Sequence, residues 1–371
     1  MNSNPLLTIR DLGQSIWLDY IQRGMLEGGE IARLIEHDGL AGITSNPAIF
    51  EKAIVEHHDY DKAIAALVRR GVNTAETYES LVLDDVGHAA DLFRPLYERT
   101  KGGDGFVSIE VSPHLAHDTE RTVAEGRRLW ETLRRPNIMI KVPATLEGLP
   151  AVRRLLAAGV NVNVTLLFGL ARYRAVVEAF MAGMEDRVSA GQPPGAVASV
   201  ASFFLSRIDV LVDKKLDTLG APGADLRGQA AIAYARLAYQ IYKEWVDGDR
   251  WRRLVAHGAR PQRLLWASTS TKDPAYSDVK YVEALIGPGT VNTLPPETLD
   301  AYRAHGKPAA RLELDIAQAD ELPKKLARVG IDLENVAQQL EAEGVQKFIA
   351  PFDKLFASLE QRRRQIHAEI M

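Results

Sequence analysis

Residues 106–167 read FVSIEVSPHLAHDTERTVAEGRRLWETLRRPNIMIKVPATLEGLPAVRRLLAAGVNVNVTLL. Short β-branched runs at 106–111, 138–142 and 162–167 enclose two longer stretches, 118–133 and 148–158, of helical character. Strand and helix therefore alternate, which is the unit of a parallel sheet covered by helices. Working outward, further strands are expected at 15–21, 42–46, 197–204, 263–268 and 290–293, and helices at 29–37, 170–182 and 229–246. Eight strand signals separated by helices predict an α/β protein, a closed (β/α)8 TIM barrel, better than an open doubly wound sheet. No G-x-G-x-x-G follows any of the strands, which argues against a dinucleotide site.

The sequence predicts one domain over 1–371, with the barrel core at about 15–295. The insert 50–105 reads as helical and is expected beside the barrel. The tail, about 320–371, reads as two or three amphipathic helices, among them 332–343 with Asp332 as N-cap and 351–370.

Composition narrows the function. With Lys+Arg 45 against Asp+Glu 49, the net charge is -4, which argues against a protein that coats nucleic acid or an acidic membrane. Cys 0 excludes disulfides, zinc–thiolate sites and cysteine nucleophiles. No apolar run approaches the ~20 residues of a membrane span. Residues 1–13 carry neither a basic start followed by an apolar stretch nor a small-residue cleavage site, so a cytoplasmic location is expected.

Side chains alternate between the faces of a strand. That alternation puts Val107, Ile109 and Val111 on one face and Ser108 and Glu110 on the other. It leaves Lys141 opposite Ile140 and Val142, groups Asn163 with Thr165, sets Asp19 beside Trp17 in parity, and pairs Thr44 with Asn46. Five successive strands thus send polar groups to the barrel interior near their C-terminal ends. Buried charges are costly unless paired, so either a register-holding network or a reactive site is expected there. A free lysine is neutral in only ~1 in 2500 molecules at pH 7. Desolvation and nearby cations raise that fraction, and a neutral amine condenses with a ketone while neighbouring carboxylates move protons through water. Lys with Asp, Glu, Thr and Asn suits carbonyl chemistry, and no metal or cofactor is expected.

These segments closely resemble the transaldolase family, in order along nearly the whole chain. Thr44-Ser45-Asn46-Pro47 is similar to its T-S/T-N-P signature, and Ile138-Met139-Ile140-Lys141-Val142-Pro143-Ala144-Thr145 to the strand bearing its Schiff-base lysine. Asn161-Val162-Asn163-Val164-Thr165-Leu166-Leu167-Phe168 resembles its N-x-T-L-L-F element. Val107-Ser108-Ile109-Glu110-Val111 and Ile16-Trp17-Leu18-Asp19 resemble the strands of its glutamate and aspartate. The tail and Trp266-Ala267-Ser268-Thr269 place the likeness closest to the longer bacterial members.

The resemblance implies a transferase of the pentose phosphate pathway that moves a dihydroxyacetone unit from sedoheptulose 7-phosphate or fructose 6-phosphate to an aldose phosphate. It implies Lys141 as the Schiff-base residue, Asp19 in proton transfer, and Glu110 with Thr165 holding a catalytic water. Thr44, Asn46, Asn163 and Phe204 would meet the sugar. Ser202-Phe203-Phe204-Leu205-Ser206-Arg207 resembles S-P-F-x-G-R, with Ser202 and Arg207 on the phosphate, although Phe203 replaces proline and Ser206 glycine. Where the family has A-S-F-R, this chain reads Ala267-Ser268-Thr269-Ser270-Thr271-Lys272, making Ser268 and Lys272 the corresponding phosphate-side candidates. A related aldolase carries glutamine and tyrosine at the positions of Glu110 and Phe204, so the resemblance favours transfer over release; a silent sugar-phosphate-binding barrel is the remaining alternative. Sugar phosphates are the expected partners, and both monomer and homodimer are compatible with the sequence.

Other conspicuous residues have plainer readings. His57 and His58 diverge by ~100° on a helix and are expected on a solvated face. The three-residue spacing of His114 and His117 can place two imidazoles on one face, but no third metal ligand is identifiable, so helix-start capping or a water contact is expected. Arg362-Arg363-Arg364 suits a solvated face.

Overall fold

The computed structural model describes residues 4–370, so Met1–Ser3 and Met371, at the ends of the expected domain, lie outside it. Eight parallel strands close into a barrel in sequence order. They are β1 (Gln14–Leu18), β2 (Gly42–Ile43), β3 (Phe106–Glu110), β4 (Ile138–Pro143), β5 (Val162–Leu167), β6 (Ser199–Phe204), β7 (Arg263–Ala267) and β8 (Thr290–Leu294). β1 closes the ring against β8, from Gln14 opposite Thr290 to Leu18 opposite Leu294. All eight expected strands are present. β2 is shorter than expected because Pro47 begins a helix and the Asn46 side chain caps it, accepting from the Ile49 N–H at 3.1 Å.

The outward residues Val107, Ile140, Val142 and Val164 are fully buried under the helices. Each contributes about 1.5–3 kcal/mol of apolar burial. At the N-terminal end of the barrel, Asp104 accepts from Ser15 at 2.7 Å and pairs with Arg263 at 3.2 Å. Gly42 is required above this plug: a β-carbon there would stand 2.7 Å from the Trp17 ring and from the Phe106 carbonyl.

The expected insert forms three helices, Pro47–Glu56, Asp61–Arg69 and Thr74–Arg99. The tail departs from expectation. After Ile316–Arg328, one helix of 38 residues, Leu333–Ile370, runs straight through Pro351, where two separate helices were expected. A mid-helix proline removes one hydrogen bond, but the buried stripe Leu340, Val345, Phe348, Leu355 and Leu359 keeps its phase across it. Asp332 does cap the helix, accepting from the Glu334 N–H at 2.8 Å.

This helix lies against the C-terminal ends of the strands. Gly344 is close enough that a β-carbon would come within 3.1 Å of Leu166. Phe352 and Phe356 pack on Tyr78 with ring centroids 5.5 and 5.0 Å away. The arginine run is also not a uniformly solvated face. Arg362 pairs with Asp61, and Arg363, only 17% exposed, donates to Thr74 at 2.7 Å and to the Val72 carbonyl; Arg364 alone projects outward at 78%. Among the described residues, no helix is long and apolar enough to cross a membrane.

Candidate active site

Register decides which side chains meet. β3 and β4 set Glu110 opposite Lys141, and β4 and β5 set Lys141 opposite Asn163 and Pro143 opposite Thr165. Lys141 Nζ lies 3.7 Å from Glu110 Oε2, an ion-pair contact longer than a hydrogen bond, and donates to the Ser45 carbonyl at 2.9 Å. Ser45 is itself held by its hydroxyl on the Ser108 carbonyl, 2.8 Å away.

Above Lys141 opens a cavity of about 840 Å³, within the ~300–1,000 Å³ range of small-molecule sites. Its lining includes Asp19, Thr44, Asn46, Lys141, Thr165, Ser202, Phe204, Arg207, Ser268 and Lys272, all expected from the sequence. Two expected residues lie elsewhere. Asn163 is fully buried beneath the cavity, donating to Ser108 at 3.1 Å and accepting from Ser202 at 2.6 Å. Glu110 sits behind the lysine and faces a smaller cavity of about 200 Å³ shared with Tyr78, Phe352 and Phe356.

Both Glu110 carboxylate oxygens and the Thr165 hydroxyl are buried without a hydrogen-bond partner among the described residues. Burial pushes the Glu110 carboxyl up to about 7, with Lys141 opposing the rise and Asp19 adding to it. Burial also raises Asp19, against the pull of Lys141 and of the Thr44 hydroxyl. That hydroxyl donates to Asp19 Oδ1 at 2.7 Å, and Thr44 in turn meets Thr293 Oγ1 at 2.7 Å. Thr44 thus braces a carboxylate, and Asn46 spends its side-chain oxygen on the helix cap.

On the opposite wall, Arg207 follows β6. Its guanidinium carbon lies 5.4 Å from the Phe204 ring and 5.9 Å from that of Phe348, and its Nη1 is buried without a partner among the described residues. Burial lowers its pKa, against Asp19 and Glu110. Ser268 adopts a left-handed φ of 55° and shares a hydrogen bond of 2.8 Å with Ser206, tying the ends of β6 and β7 together. Lys272 is exposed at the rim and donates to Ser270 at 2.6 Å. His114 and His117 go to separate carboxylates, Asp353 at 2.7 Å and Glu147 at 3.1 Å, and no group of three metal-ligating side chains occurs among the described residues.

The sequence model of the family described as "Transaldolase/Fructose-6-phosphate aldolase" matches residues 16–359. The chain belongs to the transaldolase/fructose-6-phosphate aldolase family. Among its relatives, "Transaldolase 2" of Nostoc sp. (strain PCC 7120 / SAG 25.82 / UTEX 2576) is 49% identical over 97% of this chain and 98% of its own length. "Transaldolase" of Trichodesmium erythraeum (strain IMS101) is 48% identical over 99% of each chain. "Transaldolase" of Thermobifida fusca (strain YX) is 47% identical over 97% of this chain and 98% of its own.

Within this family chain, sequence reasoning passed over Thr293, Phe348 and Glu297, all of which line the cavity. Thr293 shares the inward parity of Trp17, to which it is paired, so its strand position was a usable signal. Phe348 had none, because its own helix reads as an ordinary amphipathic tail.

Proposed function

We propose that the protein is a transaldolase acting through a Schiff base on Lys141. The supporting observation is the amine of a buried lysine, 3.7 Å from a carboxylate, at the floor of a cavity that also holds Asp19 and Arg207. The amine adds to the C2 carbonyl of a ketose phosphate and water leaves. Asp19 takes the proton of the C4 hydroxyl, the C3–C4 bond breaks, and an aldose phosphate departs. The electron pair stays on the lysine-bound dihydroxyacetone unit as an enamine, which attacks the aldehyde of an incoming aldose phosphate. The proton returns from Asp19 to the new hydroxyl, and water releases the lengthened ketose. Glu110 and Thr165, with their unpartnered oxygens, suit the water that enters and leaves the imine. Arg207 takes the phosphoryl group, with Lys272 as a weaker second contact.

The reading places the protein in the cytoplasmic pentose phosphate pathway, with sugar phosphates as its partners and the whole chain working as one domain. Its test is the fate of the three-carbon unit. With fructose 6-phosphate and erythrose 4-phosphate, sedoheptulose 7-phosphate should accumulate. Free dihydroxyacetone in its place would identify a releasing aldolase.

A further inference from the structure

The C-terminal helix does more than cover the barrel end. It inserts Phe348, 4% exposed, into the cavity wall, where its ring centroid is 5.9 Å from both Lys141 Nζ and the Arg207 guanidinium carbon. A guanidinium is drawn to an aromatic face, most strongly where water is excluded. Arg207 has two such faces, Phe204 from β6 and Phe348 from the tail, and keeps a buried Nη1 without a partner among the described residues. The helix is held in place independently of the cavity. Gly344 packs on Leu166, Phe352 and Phe356 on Tyr78, and Arg362 pairs with Asp61.

We propose that Phe348 is a positioning residue that fixes the Arg207 guanidinium for an anionic group at the far end of the substrate, so that the tail helix sets the preference for phosphorylated over unphosphorylated ketoses. The inference rests on the transaldolase reading and adds a specificity role for a residue outside the barrel.

The test compares kcat/KM for fructose 6-phosphate with that for unphosphorylated fructose. Phe348→Leu keeps apolar volume and removes the ring face. It should lower the phosphorylated-to-unphosphorylated ratio about tenfold, through KM, with kcat within about threefold. Phe348→Ala should lower the ratio at least as much, and the leucine variant keeps the test valid where alanine loosens the helix. Arg364→Ala, on the same helix but projecting away from the barrel, should leave the ratio unchanged. A wild-type ratio in Phe348→Leu, or an equal drop in Arg364→Ala, would overturn the assignment. Borohydride trapping of dihydroxyacetone on the wild-type enzyme separates the two levels: without an adduct the transaldolase reading itself fails, whereas an adduct with an unchanged ratio in Phe348→Leu rejects only the role of Phe348.

Discussion

Glu110 faces Lys141 across 3.7 Å, and the two side chains are 4% and 5% exposed. Burial outweighs the attraction of the lysine, so the carboxyl titrates near 7 in the fold, against about 4.3 in an unfolded chain. A group whose folded pKa is raised in this way costs nothing below its unfolded value. The cost develops as pH rises between the two values. Glu110→Gln should therefore gain stability relative to the wild type between pH 5 and pH 8, by about 1–3 kcal/mol. Denaturant titrations of both proteins at the two pH values check this, and a pH-independent difference would contradict it.

Asp19 is expected to act in bond cleavage and not in imine formation. Asp19→Asn should still yield a trapped adduct, while turnover drops about 10²–10⁴-fold. Thr44→Val removes the donor that braces Asp19 at 2.7 Å and should slow the same step by a smaller factor. Single-turnover release of the aldose phosphate is the measurement. A near-normal rate in Asp19→Asn would remove it from the chemistry.

The two candidate phosphate cations, Arg207 and Lys272, should differ in weight. Arg207 is largely enclosed, with Nη1 unpartnered among the described residues, whereas Lys272 is exposed and already donates to Ser270. Arg207→Ala should weaken fructose 6-phosphate by roughly ten- to a hundredfold with little effect on unphosphorylated fructose. Lys272→Ala should do so only a fewfold. An equal loss on both sugars in Lys272→Ala would show that it does not read the phosphate.

The tail helix is anchored by its arginines unequally. Arg363 reaches the Thr74 hydroxyl and the Val72 carbonyl from a largely covered position, while Arg364 projects outward. Arg363→Ala should destabilise the protein by about 1–3 kcal/mol, and Arg364→Ala by no more than about 0.5 kcal/mol. Thermal unfolding of the two variants decides it, and equal midpoints would contradict the anchoring.

The residues that were legible in the sequence are those whose role depends on strand alternation. Lys141, Asn163 and Thr165 reach the interior because a period of two fixes their face once the strand is recognised. Thr44 and Asn46 shared that parity, yet side-chain partners only visible in three dimensions engage them, Asp19 for one and a helix cap for the other. Pro351 reads locally as a helix boundary, and its override depends on packing along the stripe from Leu340 to Leu359. Phe348 was illegible for a related reason. Its neighbours Lys141 and Arg207 come from β4 and the end of β6, and no local pattern ties the tail to them.

The most direct measurement is the site of covalent capture. The protein is incubated with fructose 6-phosphate, reduced with borohydride, digested, and the adduct is located by peptide mass. A dihydroxyacetone-derived adduct is expected on Lys141, and none on Lys141→Ala, which should remain folded. An adduct on Lys272 or any other lysine, or no adduct in an enzyme that turns over, would contradict the account.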